Sequence, residues 1–203
     1  FCLGDETHKP AILFEYVNDN LYESIHKFEN FELVGFIYEI CLAMKYLHEH
    51  KINHSNIKIF NILINSEKHV KINNFDIVVF GSEFIDSKYY SKMVGYNPYL
   101  APESFSVDGA DIEKTDIYAF GVVMHFILTR GQMPKYRKRD GYNELQLSEY
   151  LNNLSRSIIH ECWKFDDRPS FEEILQKITQ NNFMLIDGIE KKIPQLKEHL
   201  GLH

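Results

Sequence analysis

His54-Ser55-Asn56-Ile57-Lys58-Ile59-Phe60-Asn61, followed after two apolar runs by Asn74-Phe75-Asp76, is the stretch that decides the fold of this chain. The runs between, Asn61-Ile62-Leu63-Ile64 and His69-Val70-Lys71-Ile72, have the length and β-branched content of short strands. Asn65-Ser66-Glu67-Lys68 supplies a turn, so the spacing predicts a hairpin. Upstream, Leu33, Phe36, Ile37, Ile40, Met44 and Leu47 recur with helical spacing and predict a helix over 31–50 with one apolar face. Further upstream, the apolar run of residues 11–17 suits a buried strand, and Asn18-Asp19-Asn20 suits a turn.

Downstream, residues 74–100 read as a long loop carrying Gly81, Gly95 and Pro98. Ile117–Leu128 is apolar on nearly all sides and reads as a buried core helix, since twelve residues are too few to span a bilayer. Gly131 to Gly141 reads as a polar loop. Shorter amphipathic helices are expected at Leu145–Leu154, Ile158–Trp163 and Phe171–Ile178, with Pro169 just before the last. The tail after Thr179 has helical spacing at Ile186, Ile189, Ile193, Leu196 and Leu200, interrupted by Pro194. This order predicts a mainly helical domain carrying a small hairpin.

Composition limits the function classes. The chain has 203 residues, 44% hydrophobic and 25% charged, with a formal net charge of −7. A chain of this size buries roughly 70% of the surface that its unfolded form exposes, enough for a real core. The acidic balance argues against nucleic acid and anionic membranes as partners. Cys2, Cys41 and Cys162 are scattered and odd in number, which fits a reducing, cytoplasmic compartment rather than a disulfide or metal framework.

The segments around the hairpin resemble the protein kinase superfamily. His54 to Asn61 resembles the family's catalytic loop, Asn74-Phe75-Asp76 its Asp-Phe-Gly segment, and Tyr99-Leu100-Ala101-Pro102-Glu103 its Ala-Pro-Glu segment. Asp116 to Gly121 resembles the central buried helix. Cys162-Trp163 and Arg168-Pro169-Ser170-Phe171 resemble the last helices, and Ile12 to Val17 the linker between lobes. Lys58 resembles the serine/threonine and tyrosine-kinase-like branches. The resemblance covers roughly residues 1–180. It implies a mainly α fold: a kinase-like C-terminal lobe with a β hairpin at the catalytic loop and a remnant of N-lobe strands and hinge. The division it implies is 1–17 for that remnant, 18–180 for the lobe and 181–203 for a helical tail.

The resemblance also assigns roles. Asn56 stands at the catalytic aspartate, where an amide oxygen is too weak a base to take a hydroxyl proton. Asn74 stands at the metal aspartate, where a neutral ligand replaces the carboxylate that magnesium prefers. Asp76 reaches that position only under an alignment shifted by two residues, which strips Phe75 of its place. Lys58 and Asn61 are retained: Lys58 would meet the transferring phosphate and Asn61 the second magnesium, with a loop-capping amide as the other reading of Asn61. Leu63 would lie beneath an adenine ring, and Phe14 would be the gatekeeper. His54 and Phe75 would stack, Asp116 would hold the catalytic-loop backbone, and Glu103 and Arg168 would form a buried ion pair. Ser55 replaces the arginine that clamps a phosphorylated loop in relatives, which leaves Tyr89, Tyr90 and Ser91 without that partner. Gly95-Tyr96 departs from the usual Gly-Thr.

Only 13 residues precede Phe14, too few for a glycine-rich loop and its anchoring lysine. No cofactor is therefore expected from this chain alone, with ATP and magnesium entering only if an N-terminal lobe lies upstream. The expected function is a pseudokinase acting as a scaffold for a protein partner, another kinase among the candidates. The alternative is a divergent ATP-dependent serine/threonine kinase. His48, His50 and His54 are clustered in sequence, but metal ligation needs matched geometry, and a helix end suits cationic side chains. The basic run Lys135-Tyr136-Arg137-Lys138-Arg139 reads as a solvated loop, with a partner patch as the other reading.

Overall fold

The computed structural model describes residues 2–3, 11–17, 19–75, 79–80, 97–105, 111–139 and 142–202. Strand β1 (Cys2–Leu3) pairs antiparallel with β2 (Ala11–Ile12). The expected buried strand over 11–17 is corrected here. Regular pairing stops at Ile12, and Leu13, Phe14 and Tyr16 beyond it are 59%, 72% and 85% exposed. Apolar composition buries a segment only where a second layer covers it, and these side chains face open solvent.

Strand β3 (Asp19–Asn20) leads directly into helix α1 (Leu21–Ser24), whose first turn is capped by Asn20 Oδ1 accepting from the Glu23 N–H at 3.0 Å. Helix α2 (Asn30–Glu49) begins with a capping box: the Glu29 N–H donates to the Glu32 carboxylate at 2.7 Å. Its face of Leu33, Phe36, Ile37, Ile40 and Met44 is fully buried. Strands β4 (Ile52–Asn53), β5 (Ile62–Ile64), β6 (Val70–Ile72) and β7 (Val79–Phe80) follow. β5 pairs antiparallel with β6, and β3 joins the other edge of β5. β7 lies inside the region expected to be one long loop, and it pairs with β4. The rest of that region, with Asp76, Tyr89, Tyr90, Ser91, Gly95 and Tyr96, lies outside the described residues.

Helix α3 (Ile112–Leu128) is buried along most of its length, as a helix with apolar residues on every side must be. Asp111 caps it by accepting from the Lys114 N–H. The next segment departs from expectation. Strands β8 (Lys135–Arg139) and β9 (Tyr142–Gln146) form an antiparallel hairpin where a polar loop and a helix start were read. Alternation explains this: Tyr136 pairs with Leu145 on one face, while Lys135, Arg137 and Glu144 are exposed. Leu145 therefore belongs to a strand, and helix α4 (Asn153–Cys162) begins only at its Asn152 cap.

Helix α5 (Phe171–Gln180) starts at Ser170 with a second capping box to Glu173. Helix α6 (Ile193–His199) carries Pro194 in its first turn, so the proline opens this helix rather than interrupting it. The tail packs on the domain. Phe183, Leu185, Ile189, Ile193 and Leu196 are buried in the same core as α2, α3 and α5. No helix among the described residues is long and apolar enough to cross a membrane.

Two contacts within this packing are open to test. A Cβ added at Gly121 would sit 2.8 Å from Cys162 Cβ and 2.8 Å from Trp163 Nε1. Cys162 Cβ is too close to its backbone to yield. Gly121→Ala should therefore destabilise the protein by about 1–3 kcal/mol despite the better helix propensity of alanine, read as a lower urea midpoint.

His125 is buried in α3, where its Nδ1–H donates to the Gln132 carbonyl at 3.1 Å and its Nε2 accepts from the Ser148 N–H at 3.2 Å. That arrangement requires the neutral ring. Burial pushes the His125 pKa down from 6.5 to about 4. A depressed folded-state pKa gives stability that is complete above the unfolded value and is lost as pH falls through the folded one. Unfolding free energy should therefore decline from pH 6.5 towards about 4. His125→Gln should lack that part of the slope in denaturant titrations at matched pH.

Candidate functional site

The site is built on Asp116, in the buried first half of α3. Its carboxylate is 1% exposed and is satisfied three times. Oδ2 accepts from the His54 N–H at 2.8 Å, Oδ1 accepts from the Ser55 N–H at 2.8 Å, and His48 Nε2 lies 3.1 Å from Oδ2. Two adjacent amides can point at one carboxylate because Ser55 adopts φ +60°, which turns the chain sharply there. His48, at the end of α2, thus serves Asp116, a role that neither the helix-end nor the metal reading of the sequence indicates. His50 instead bonds the Tyr46 carbonyl of its own helix, so the three clustered histidines do not converge.

His54 is fully buried. Its Nδ1 accepts from the Asn56 N–H at 3.3 Å, and its Nε2 lies 3.2 Å from the Asn73 carbonyl, to which it donates. Burial lowers the pKa of this ring, with the Asp116 charge opposing that shift. The His54 and Phe75 rings lie 4.6 Å apart, and Phe75 is 42% exposed. Leu63 is half-buried on β5, and Phe14 stands out in solvent.

The Asn61 side chain bonds the Asn56 backbone and the Asn74 side chain. Asn61 Nδ2 donates to the Asn56 carbonyl at 2.7 Å, and Asn74 Nδ2 reaches Asn61 Oδ1 at 3.4 Å. The Asn73 N–H donates to the Asn61 carbonyl at 2.9 Å. Asn61 therefore caps the loop. Asn74 has φ +69°, a left-handed backbone that asparagine tolerates better than most residues. This donor set does not fit a magnesium pair. Asn56, Asn61 and Asn74 contribute no negative charge, and the Asn61 side-chain oxygen already accepts a hydrogen bond.

Lys58 is half-buried, and its ammonium makes no hydrogen bond or ion pair with another described residue. It lines a cleft of about 90 Å³ with Asn56, Tyr99, Ser104 and Thr115. The Tyr99 hydroxyl accepts from the Ile59 N–H at 3.4 Å, and burial pushes its phenol pKa up to about 12. Tyr99 and Ser104 were not singled out from the sequence, and only their place around Ala101-Pro102-Glu103 pointed to them.

Glu103 and Arg168 meet in bidentate geometry. Arg168 Nη2 donates to Glu103 Oε2 at 3.0 Å, and Nη1 bonds Oε1. Nη1 also donates to the Lys114 carbonyl at 3.0 Å, while Lys114 Nζ donates to the Arg168 carbonyl at 2.6 Å. The Arg168 guanidinium lies 5.0 Å above the Tyr118 ring. The pair joins the 102–105 turn to α3 and to the start of α5.

Comparison with known proteins gives the class. A family model described as protein tyrosine and serine/threonine kinase matches residues 2–178. The chain is 24% identical over 203 residues to a putative serine/threonine-protein kinase of Acanthamoeba polyphaga mimivirus, covering 89% of this chain and 71% of that protein. It is 32% identical over 173 residues to a tyrosine kinase receptor of Drosophila melanogaster, covering 78% of this chain and 22% of the receptor. A mitogen-activated protein kinase kinase of Arabidopsis thaliana is 34% identical over 137 residues, covering 62% of this chain and 44% of that protein. The chain thus belongs to the protein tyrosine and serine/threonine kinase family.

Removing one partner of the Glu103–Arg168 pair leaves the other charged and poorly solvated. Arg168→Ala should cost about 3–5 kcal/mol of unfolding free energy, and Glu103→Gln less, because a neutral amide can still accept from Arg168. Chemical denaturation of the two variants beside the parent protein checks the order.

Proposed function

We propose that this chain is a catalytically impaired, pseudokinase-type member of its family that acts by binding a protein partner. The observation that carries the proposal is the run of amides from Asn56 through Asn61 to Asn74. Phosphoryl transfer depends on charge at two places: a base near the attacking hydroxyl, and carboxylate on the metal that bridges the phosphates. Neutral amides stand at both places on this reading, and the Asn74 amide is engaged with that of Asn61. Lys58 alone offers positive charge without the metal-binding anions that balance it. Its role on this reading is vestigial.

The binding role is supported by surface rather than by chemistry. Leu13, Phe14 and Phe75 are 59%, 72% and 42% exposed, and apolar groups left in solvent tend to recruit a partner. Leu63 lies half-buried on the hairpin strand that β3 flanks, and Glu15 pairs with Lys71 at 3.0 Å, so this segment is anchored to the hairpin. A protein partner suits such a surface, with another kinase domain as the first candidate to try. On this reading the scaffold of His54, Phe75, Asp116, Glu103 and Arg168 serves shape.

The test is phosphate incorporation by the purified full-length natural protein with ATP and magnesium, beside Lys58→Ala, with melting temperature recorded in parallel. The expected results are no turnover above the Lys58→Ala background and no melting shift with ATP and magnesium. Turnover that Lys58→Ala abolishes would overturn the proposal in favour of a divergent ATP-dependent serine/threonine kinase whose N-terminal lobe lies upstream.

A further inference from the structure

Away from the amide site, three side chains from distant parts of the chain converge. Glu39 lies on α2, His69 lies between the turn and β6, and His199 is the last residue of α6. One ligand atom from each falls within 4.8 Å of the others. We infer that Glu39, His69 and His199 form a binding site for a divalent transition-metal cation of the zinc type, which clamps the C-terminal helix to α2 and the β5–β6 turn.

The donor chemistry selects the ion. Two imidazoles and one carboxylate suit zinc, whereas magnesium and calcium take oxygen ligands. A fourth position stays open to water, because all three residues are only partly buried.

The surroundings orient the ligands as metal sites require. Glu39 Oε2 accepts from the Val70 N–H at 2.7 Å, and this leaves Oε1 directed at His69 Nδ1, 2.5 Å away. Asn65 Oδ1 accepts from the His69 N–H at 2.8 Å and fixes the turn that presents the ring. His199 Nε2 lies 3.2 Å from the Lys68 carbonyl, to which it donates, so its Nδ1 lone pair is free. An imidazole that donates to a backbone carbonyl while its other nitrogen is bare is the usual outer-shell arrangement of a metal-binding histidine.

The rearrangement needed is small. The His69 and His199 rings stack at 4.6 Å with 8° between planes. Parallel rings cannot both direct in-plane lone pairs at one ion, so one ring must turn about χ2. Terminal torsions of this kind are broad, and the His69 side chain is 38% exposed. The Glu39–His69 hydrogen bond then gives way to two bonds to the cation, and the His69 Nδ1 proton passes by solvent exchange to Nε2, so that the neutral ring ligates through Nδ1.

Titration of untagged, chelator-treated protein with Zn²⁺ and with Co²⁺ tests the site. The expected result is one equivalent of Co²⁺ with visible d–d absorption, a melting temperature raised by Zn²⁺ and restored by chelator, and protection of the tail from protease when zinc is present. His199→Ala, at a half-exposed position near the chain end, should retain the parental circular dichroism and bind zinc at least about tenfold more weakly. Glu39→Gln should weaken it in the same direction. Absence of stoichiometric uptake by the parent protein would sink the inference, and so would unchanged affinity in His199→Ala. None of these readouts depends on phosphotransfer.

Discussion

A single buried carboxylate sets the geometry of the molecule. Asp116 sits where solvent cannot reach it, and an unpaired charge there would be prohibitive. Its oxygens are satisfied by the backbone of His54 and Ser55 and by the His48 ring. Those bonds fix the end of α2, the following loop and α3 relative to one another. The position of Asn56, the tilted contact of His54 with Phe75 and the opening beside Lys58 all depend on that junction. Glu103 and Arg168 repeat the device between the 102–105 turn and the start of α5, where Arg168 Nη1 donates to the Lys114 carbonyl and Lys114 Nζ donates to the Arg168 carbonyl.

The contrast between these charged anchors and the amides they surround is physical. A carboxylate inside the protein is tolerated when donors converge on it, as they do on Asp116. A carboxylate at position 74 could not make the donation that Asn74 Nδ2 makes to Asn61 Oδ1 and would need a cation to balance it. Amides remove that need, because each carries both donor and acceptor and two can satisfy one another. The groups that hold the chain, Asp116 and the Glu103–Arg168 pair, are charged, whereas Asn56, Asn61 and Asn74 are neutral.

Legibility followed periodicity. The apolar face of α2 and the continuous apolar run of α3 were plain in the sequence, as were the strands β5 and β6, because each follows one dominant period. The β8–β9 hairpin was misread because Lys135 to Arg139 is so basic that its alternation is visible only once Tyr136 is seen opposite Leu145. Residues 11–17 were misread in the opposite sense, since composition cannot say whether a second layer exists. The charged members of the candidate site were found by resemblance. The His48 contact to Asp116 spans 68 residues, and the meeting of His199 with Lys68 spans 131, so no local pattern could report either.

The docking of α6 bears on where this folding unit ends. The family-model match ends at residue 178, yet Phe183, Leu185, Ile189, Ile193 and Leu196 continue the same core without a break. At Gly35, a Cβ would come within 3.2 Å of Leu196 Cδ1, so α2 has a smooth patch where the tail helix rests. The boundary drawn by the family-model match and the boundary drawn by buried surface therefore differ by nearly the whole tail. A segment cut at the first would carry a greasy, unsealed flank on α2 and behave as a sticky fragment. Substitutions along this flank constrain residues that family resemblance treats as outside the domain.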